Sequence, residues 1–166
     1  MEDIMAMAYR FNVRLAVVDI RPYQDEMRQF QRDAKFKTYL CEYKENTPMG
    51  TTWDDNNGLV KINRTEVFDA THRMLVDNLI ELPAVCPEVE QFAVECASVA
   101  KIPVFNKQTR GTTFRYRKLG DKPDDYRNAL NYFIMAATSA HMPIVAGVRG
   151  AGNRPKFAKN DYDRFN

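Results

Sequence analysis

Histidine and cysteine are scarce in this chain, with two His and three Cys in 166 residues. Cys41, Cys86 and Cys96 form no CxxC pair, and neither His72 nor His141 stands at ligand spacing from one of them, which argues against a structural zinc site. The odd cysteine count also argues against a disulfide framework and suits a reducing cytosol. Charge of one sign is missing too: the formal net charge is +2, too small for the whole-molecule field to mark a nucleic-acid binder. No cationic leader with an apolar stretch behind it opens the sequence, which speaks against secretion. The most apolar stretch, residues 129–148, is interrupted by Asn131, His141 and Pro143 and reads as a core helix followed by a loop, not a membrane span. Also absent are a Ser-His-Asp order and the HExxH, GxSxG, GxGxxG and GxxxxGK[ST] patterns, so the chain carries no ATPase motor of its own.

What is present suits an ordinary soluble domain. The length is enough to bury a real core, and the fractions of 45% apolar and 28% charged residues are those of a globular protein. Ile4, Met5, Ala8 and Phe11 recur at helical spacing within residues 1–12. Residues 13–20 (Val-Arg-Leu-Ala-Val-Val-Asp-Ile) are a compact β-branched run typical of a parallel strand covered on both faces, and Pro22 stops it. Residues 24–34 return to helical period through Met27, Phe30 and Ala34, and residues 37–43 read as a second strand. Strand, helix and strand in about thirty residues make a βαβ unit.

Residues 45–57 are polar and loop-like, ending in the turn Asp54-Asp55-Asn56-Asn57-Gly58. A short strand at 59–62 precedes a helix over 66–78, with Thr65 as the expected N-cap and Phe68, Thr71 and Leu75 turned inward. Leu79 to Pro83 reads as a short strand. Pro87 opens a helix whose stripe is Val89, Phe92, Ala93, Cys96 and Val99. Residues 104–119 predict a hairpin around Thr109-Arg110-Gly111, and residues 124–140 the longest helix, buried through Ala129, Leu130, Phe133 and Ala137.

The chemistry candidates are carboxylates at element ends. Asp19 closes an apolar strand just before a proline, and the carboxyl ends of strands in open α/β sheets line the ligand crevice. The plainer role for Asp19 is to cap the turn that follows. Asp124 opens the last helix with Asp125 behind it; it is either an N-cap or a rigid ligand of the kind Mg²⁺ takes from one or two carboxylates, waters and phosphate. Arg110, Arg115, Arg117, Lys118 and Lys122 cluster on the hairpin and the loop after it, as an exposed charged face or as a track for a phosphate backbone. Asn63-Arg64-Thr65-Glu66 reads as a capped helix start with a solvated arginine. Trp53 is a loop anchor before it is a base-stacking platform, and His72 is a surface residue. The tail from Arg149 (Arg154, Lys156, Lys159 and Arg164, with Phe157, Tyr162 and Phe165 among them) is either a solvated terminus or a phosphate grip.

Taken in order, five segments resemble the C-terminal half of the nuclease domain of the large terminase subunits of tailed bacteriophages. They are Arg14-Leu15-Ala16-Val17-Val18-Asp19-Ile20-Arg21-Pro22, Phe36 to Tyr43, Asn63-Arg64-Thr65-Glu66-Val67-Phe68-Asp69, Ile80-Glu81-Leu82-Pro83, and Gly120-Asp121-Lys122-Pro123-Asp124-Asp125 with the helix behind it. The resemblance covers residues 1–140. It implies an α/β, ribonuclease H-like fold, a mixed sheet flanked by helices that lacks the first strands of that fold. It further implies residues 1–148 as a partial nuclease domain, residues 149–166 as a basic tail, and a two-metal DNA endonuclease using two Mg²⁺ or Mn²⁺ ions to cut concatemeric DNA during packaging. In that family Asp19 matches the middle acid and Asp124 the last, while Asp125 stands where a histidine is usual, so metal ligation falls to Asp19 with Asp124 or Asp125. The family's first acid lies on earlier strands, so an upstream polypeptide would supply it, or the chain would be a non-catalytic module that binds DNA or the packaging motor. Implied partners are double-stranded DNA, the terminase ATPase segment, the portal and the small subunit, all in the host cytoplasm, with no membrane.

Overall fold

A computed structural model of the protein describes residues 2–45, 50–106 and 110–139. The chain forms two compact units. The first takes residues 1–43, 49–62 and 132–166; the second takes 44–48 and 63–131. The basic tail lies outside the described residues.

The first unit holds α1 (Glu2–Arg10), β1 (Leu15–Asp19), α2 (Gln24–Asp33), β2 (Lys37–Lys44), β3 (Thr52–Asp54) and β4 (Leu59–Asn63), except the last residues of β2 and β4. The expected βαβ unit is there: β1 runs parallel to β2 with Leu15 opposite Lys37 and Asp19 opposite Cys41. The sheet order is β1-β2-β4-β3, and β3 runs antiparallel to β4, so the sheet is mixed. β3 lies inside the stretch read as loop. Its polar sequence hides it, and it exists because Trp53 packs edge-on against the buried Tyr39 ring, centroids 4.7 Å apart.

The turn into β4 needs its glycine. Gly58 sits at φ +57, and a Cβ there would collide with the Gln31 side-chain amide, which bonds the carbonyls of Thr38 and Gly58 at 2.7 Å each. Asp54 closes the same turn by accepting from the backbone and side-chain nitrogens of Asn57, which hold its carboxyl below the usual range. The core of this unit is aliphatic and aromatic: Leu15, Val17, Phe30, Tyr39, Leu40, Val60 and Ile62.

The second unit holds α3 (Arg64–Val76), α4 (Pro87–Ala97), β5 (Val99–Asn106) and β6 (Gly111–Lys118). β5 and β6 form the expected antiparallel hairpin, which starts earlier than predicted, at Val99; α3 lies against β6 and α4 against β5. The cap of α3 is Asn63, whose side chain accepts from Glu66 N at 3.2 Å, not Thr65, whose hydroxyl donates to the Phe114 carbonyl. α3 ends as a Schellman motif: Asn78 takes φ +54, and the amides of Asn78 and Leu79 donate back to Leu75 and Met74. The residues after it make no strand. Leu79, Leu82 and Val85 are exposed, so the apolar pattern of 79–83 has no sheet to join.

The last helix, α5 (Asp125–Thr138), gives residues up to Asn131 to the second unit and those from Tyr132 to the first. Its buried face is rotated from the predicted one. Leu130 is inside, but Ala129, Phe133 and Ala137 are outside, with Phe133 62% exposed; Arg127, Asn131, Tyr132, Ile134, Met135 and Ala136 are buried instead. The apolar stripe misled because three of the seven inward positions, Arg127, Asn131 and Tyr132, are polar or amphipathic; Arg127 bonds the Phe68 carbonyl and Tyr132 bonds Asp19. No helix among the described residues is long and apolar enough to cross a membrane.

Candidate functional site

In the first unit, Asp19 ends β1 half-buried. One carboxylate oxygen accepts from Arg21 N at 2.9 Å, the turn-capping role foreseen for it; the other accepts from the Tyr132 hydroxyl at 2.6 Å. Tyr132 stacks on Tyr43, centroids 5.6 Å apart and planes 22° apart. Burial above all, then Tyr43 and Asp19, push the Tyr132 hydroxyl pKa up, so it remains a donor through the neutral range. Burial, with Asp19 and Glu42 beside it, also pushes up the neighbouring Cys41 thiol, which is inert for that reason.

In the second unit, the segment before α5 is pinned from three sides. Leu119 N donates to the Ser98 carbonyl at 2.7 Å, Ser98 Oγ to the Pro123 carbonyl at 2.9 Å, and Tyr126 N to Glu95 Oε2 at 2.7 Å. Glu95 is only 4% exposed; its other oxygen accepts from Gln91 at 2.8 Å. The free first-turn amide of α5 is therefore satisfied by Glu95, and the Asp124 carboxylate is released from the capping duty that its position suggests. Asp124 Oδ2 instead accepts from Asn128 Nδ2 at 3.2 Å and lies 3.6 Å from Arg64 Nη2. No donor among the described residues reaches Oδ1.

Asp124 lines a cavity of about 460 Å³ with Glu45, Arg64, Arg115, Tyr116, Arg117 and Lys118. Three of the five expected basic residues are thus brought together. Arg110 is at the turn end of the hairpin, just before β6, whose span from Gly111 to Lys118 is about 23 Å at strand spacing, and Lys122 is exposed outside the cavity. Asp125 is exposed in the first turn of α5 and does not line it. Asp19 belongs to the other unit.

Arg64 is the residue that sequence reasoning misassigned. Far from solvated, its guanidinium packs over the Phe68 ring at 5.1 Å and meets Glu45 at 3.9 Å as well as Asp124. Glu45 was not singled out at all; it pairs with Arg115 Nη1 at 3.2 Å across seventy residues, a contact with no local signal.

Among the described residues no group of three or more His, Cys, Asp or Glu is poised to hold a metal ion. The acids present fit a hard cation held by one carboxylate and completed by water and phosphate oxygens, since each carboxylate oxygen keeps a second lone pair beyond the bonds just described. They do not form a closed cage. No family model, curated protein or solved structure matches the chain.

Proposed function

We propose that the chain is the metal-dependent DNA endonuclease part of a phage DNA-packaging terminase large subunit, cutting concatemeric double-stranded DNA. The observation that carries the reading is the second unit's cavity, where one carboxylate with an open oxygen stands among Arg64, Arg115, Arg117 and Lys118. That combination suits a phosphodiester beside a divalent cation. The position of Asp19 at the end of a parallel strand and the chain order of the five matched segments support a ribonuclease H-like fold. In this reading Asp19 and Asp124 are the metal-ligating, catalytic acids, and Mg²⁺ or Mn²⁺ supplies activation of water and stabilisation of the leaving oxygen. The guanidiniums orient the backbone phosphate, and the ATPase segment, portal and small subunit are partners.

A second reading is favoured by the partners that Asp19 and Asp124 already have. Arg21 N and the Tyr132 hydroxyl occupy Asp19, and Arg64 neutralises Asp124, which suits a non-catalytic module that docks on DNA or on the packaging motor. Supercoiled-plasmid nicking by the purified chain in Mn²⁺ separates the two. Nicking lost in both Asp19→Asn and Asp124→Asn supports the nuclease, whereas nicking that survives in both removes these acids from the mechanism. A folded chain that binds DNA without nicking it favours the docking module.

A further inference from the structure

We propose that Arg64 and Arg115 form a clamp for a single phosphate group, and that Glu45 occupies this clamp in the free protein as an internal competitor. Glu45 presents one carboxylate oxygen to each arginine: Oε2 lies 3.2 Å from Arg115 Nη1, and Oε1 lies 3.9 Å from Arg64 Nη1. A carboxylate shared between two guanidiniums occupies the place that two non-bridging oxygens of a phosphodiester would take. Three features mark it as displaceable. The distances exceed the 2.7–2.9 Å typical of a tight charge-assisted bond. The Glu45 side chain is 41% exposed, so water can take it over as it leaves. Glu45 also lies beyond the end of β2, and no strand pairing holds it.

The arginines are better anchored than their occupant. Arg64 begins α3, packs on Phe68, and is held by Asp124 through its other terminal nitrogen. Arg115 stands in the middle of β6, paired in register with Ile102. An incoming phosphate therefore meets two preorganised cations and displaces one exposed anion, and the exchange leaves Arg64 neutralised on one side by Asp124. Lys118 and Arg117 on the same cavity wall supply the positive field that favours the exchange. The inference rests on the DNA-facing reading of this cavity for its substrate, and on the ion-pair geometry for the clamp itself.

The test is binding by the full chain and by Glu45→Gln, Glu88→Gln, Arg115→Gln and the Glu45→Gln/Arg115→Gln double variant. Glu88 is an exposed acid of α4 outside the cavity, so its variant changes net charge equally without touching the clamp. Two probes are used: a labelled duplex by fluorescence anisotropy and inorganic pyrophosphate by calorimetry. Glu45→Gln should bind both probes about two- to fivefold more tightly, the range released by breaking an exposed ion pair. The slope of log affinity against log salt for the duplex should steepen by about 0.9, one further phosphate contact. Glu88→Gln should gain less than half as much, and in the Arg115→Gln background Glu45→Gln should gain no more than Glu88→Gln does. Equal gains in Glu45→Gln and Glu88→Gln, or no gain for either probe, would overturn the clamp. A pyrophosphate gain in a chain that ignores the duplex keeps the clamp and sinks the DNA reading instead.

Discussion

The two units bury different chemistry. In the first, the solvent-inaccessible residues are Tyr39, Leu40, Val60 and Cys41 with Ile62, Phe30 and Val17 around them, and Thr38 is its one buried polar residue among those described. In the second, Phe68, Val67 and Tyr116 share the interior with Glu95, Ser98, Asn63, Thr71, Asn131 and an arginine, Arg127, that is 3% exposed. Arg127 donates to the Phe68 carbonyl at 3.0 Å and lies over the Phe68 ring at 4.9 Å. The first unit is held by removal of apolar surface from water, which is non-directional and tolerant. The second leans on directional bonds made by Glu95, Ser98, Asn63, Thr71 and Arg127, each of which would cost a desolvation penalty if broken. The more specified interior is also the one that fixes Asp124 and the cationic cavity.

Perturbing each unit separately breaks or sharpens this contrast, and the single tryptophan makes it measurable. Trp53 lies in the first unit, so its fluorescence reports that unit alone while far-UV circular dichroism reports both. The largest effect is expected from Leu40→Ala, which leaves a cavity in the apolar core and costs about 2–5 kcal/mol. Chemical denaturation should show the Trp53 transition moving to lower denaturant by the corresponding amount; an unchanged midpoint would mean that Leu40 is not core.

Glu95→Ala comes next, at about 1–3 kcal/mol, because it strands the Tyr126 amide and the Gln91 side chain. Glu95→Gln keeps an acceptor for the amide and should lose less. The dichroism transition should move more than the Trp53 one; a purely apolar second core would show no difference between the two variants.

The smallest effect is Tyr132→Phe, about 1 kcal/mol for one hydrogen bond to Asp19. It carries a pH signature. Cys41 and Tyr132 have folded pKa values raised above the ordinary 9.0 and 10.0, so the folded state keeps protons that the unfolded chain gives up. Their contribution is complete below about pH 9 and is lost as the pH climbs through 9 and 10 towards the folded values. The melting temperature of the wild type should therefore fall above pH 9, and more gently in Tyr132→Phe and Cys41→Ala. Parallel curves for all three proteins would remove these two groups from the alkaline transition.

The legibility of the two units in sequence follows the same division. Val-Val-Asp-Ile, the Met27 and Phe30 spacing and the Tyr39-Leu40-Cys41 run each state their burial locally, and β1, α2 and β2 lie where they were read. The turn at Gly58 was equally plain, because only a glycine meets its backbone and steric demands there. Reading failed where an apolar residue is outside or a polar one inside. Leu79 and Leu82 carry a strand-like pattern but stay in water, Phe133 points out of α5, and Glu95 and Arg127 point in. A periodicity argument assigns faces by hydrophobicity, so it inverts wherever a buried ion has a partner.

The amino-acid sequence by itself determined the parallel βαβ start, the helices, the hairpin, and the placement of Asp19 and Asp124 at element ends, because neighbours within a turn or a strand decide each of these. Only the tertiary structure decided that Glu95 frees Asp124 from capping, that Arg64 leaves solvent for Phe68 and two carboxylates, and that Glu45 sits on Arg115. Those pairings join residues nineteen to seventy positions apart, and they form only once the fold has brought the partners together, which no local pattern encodes.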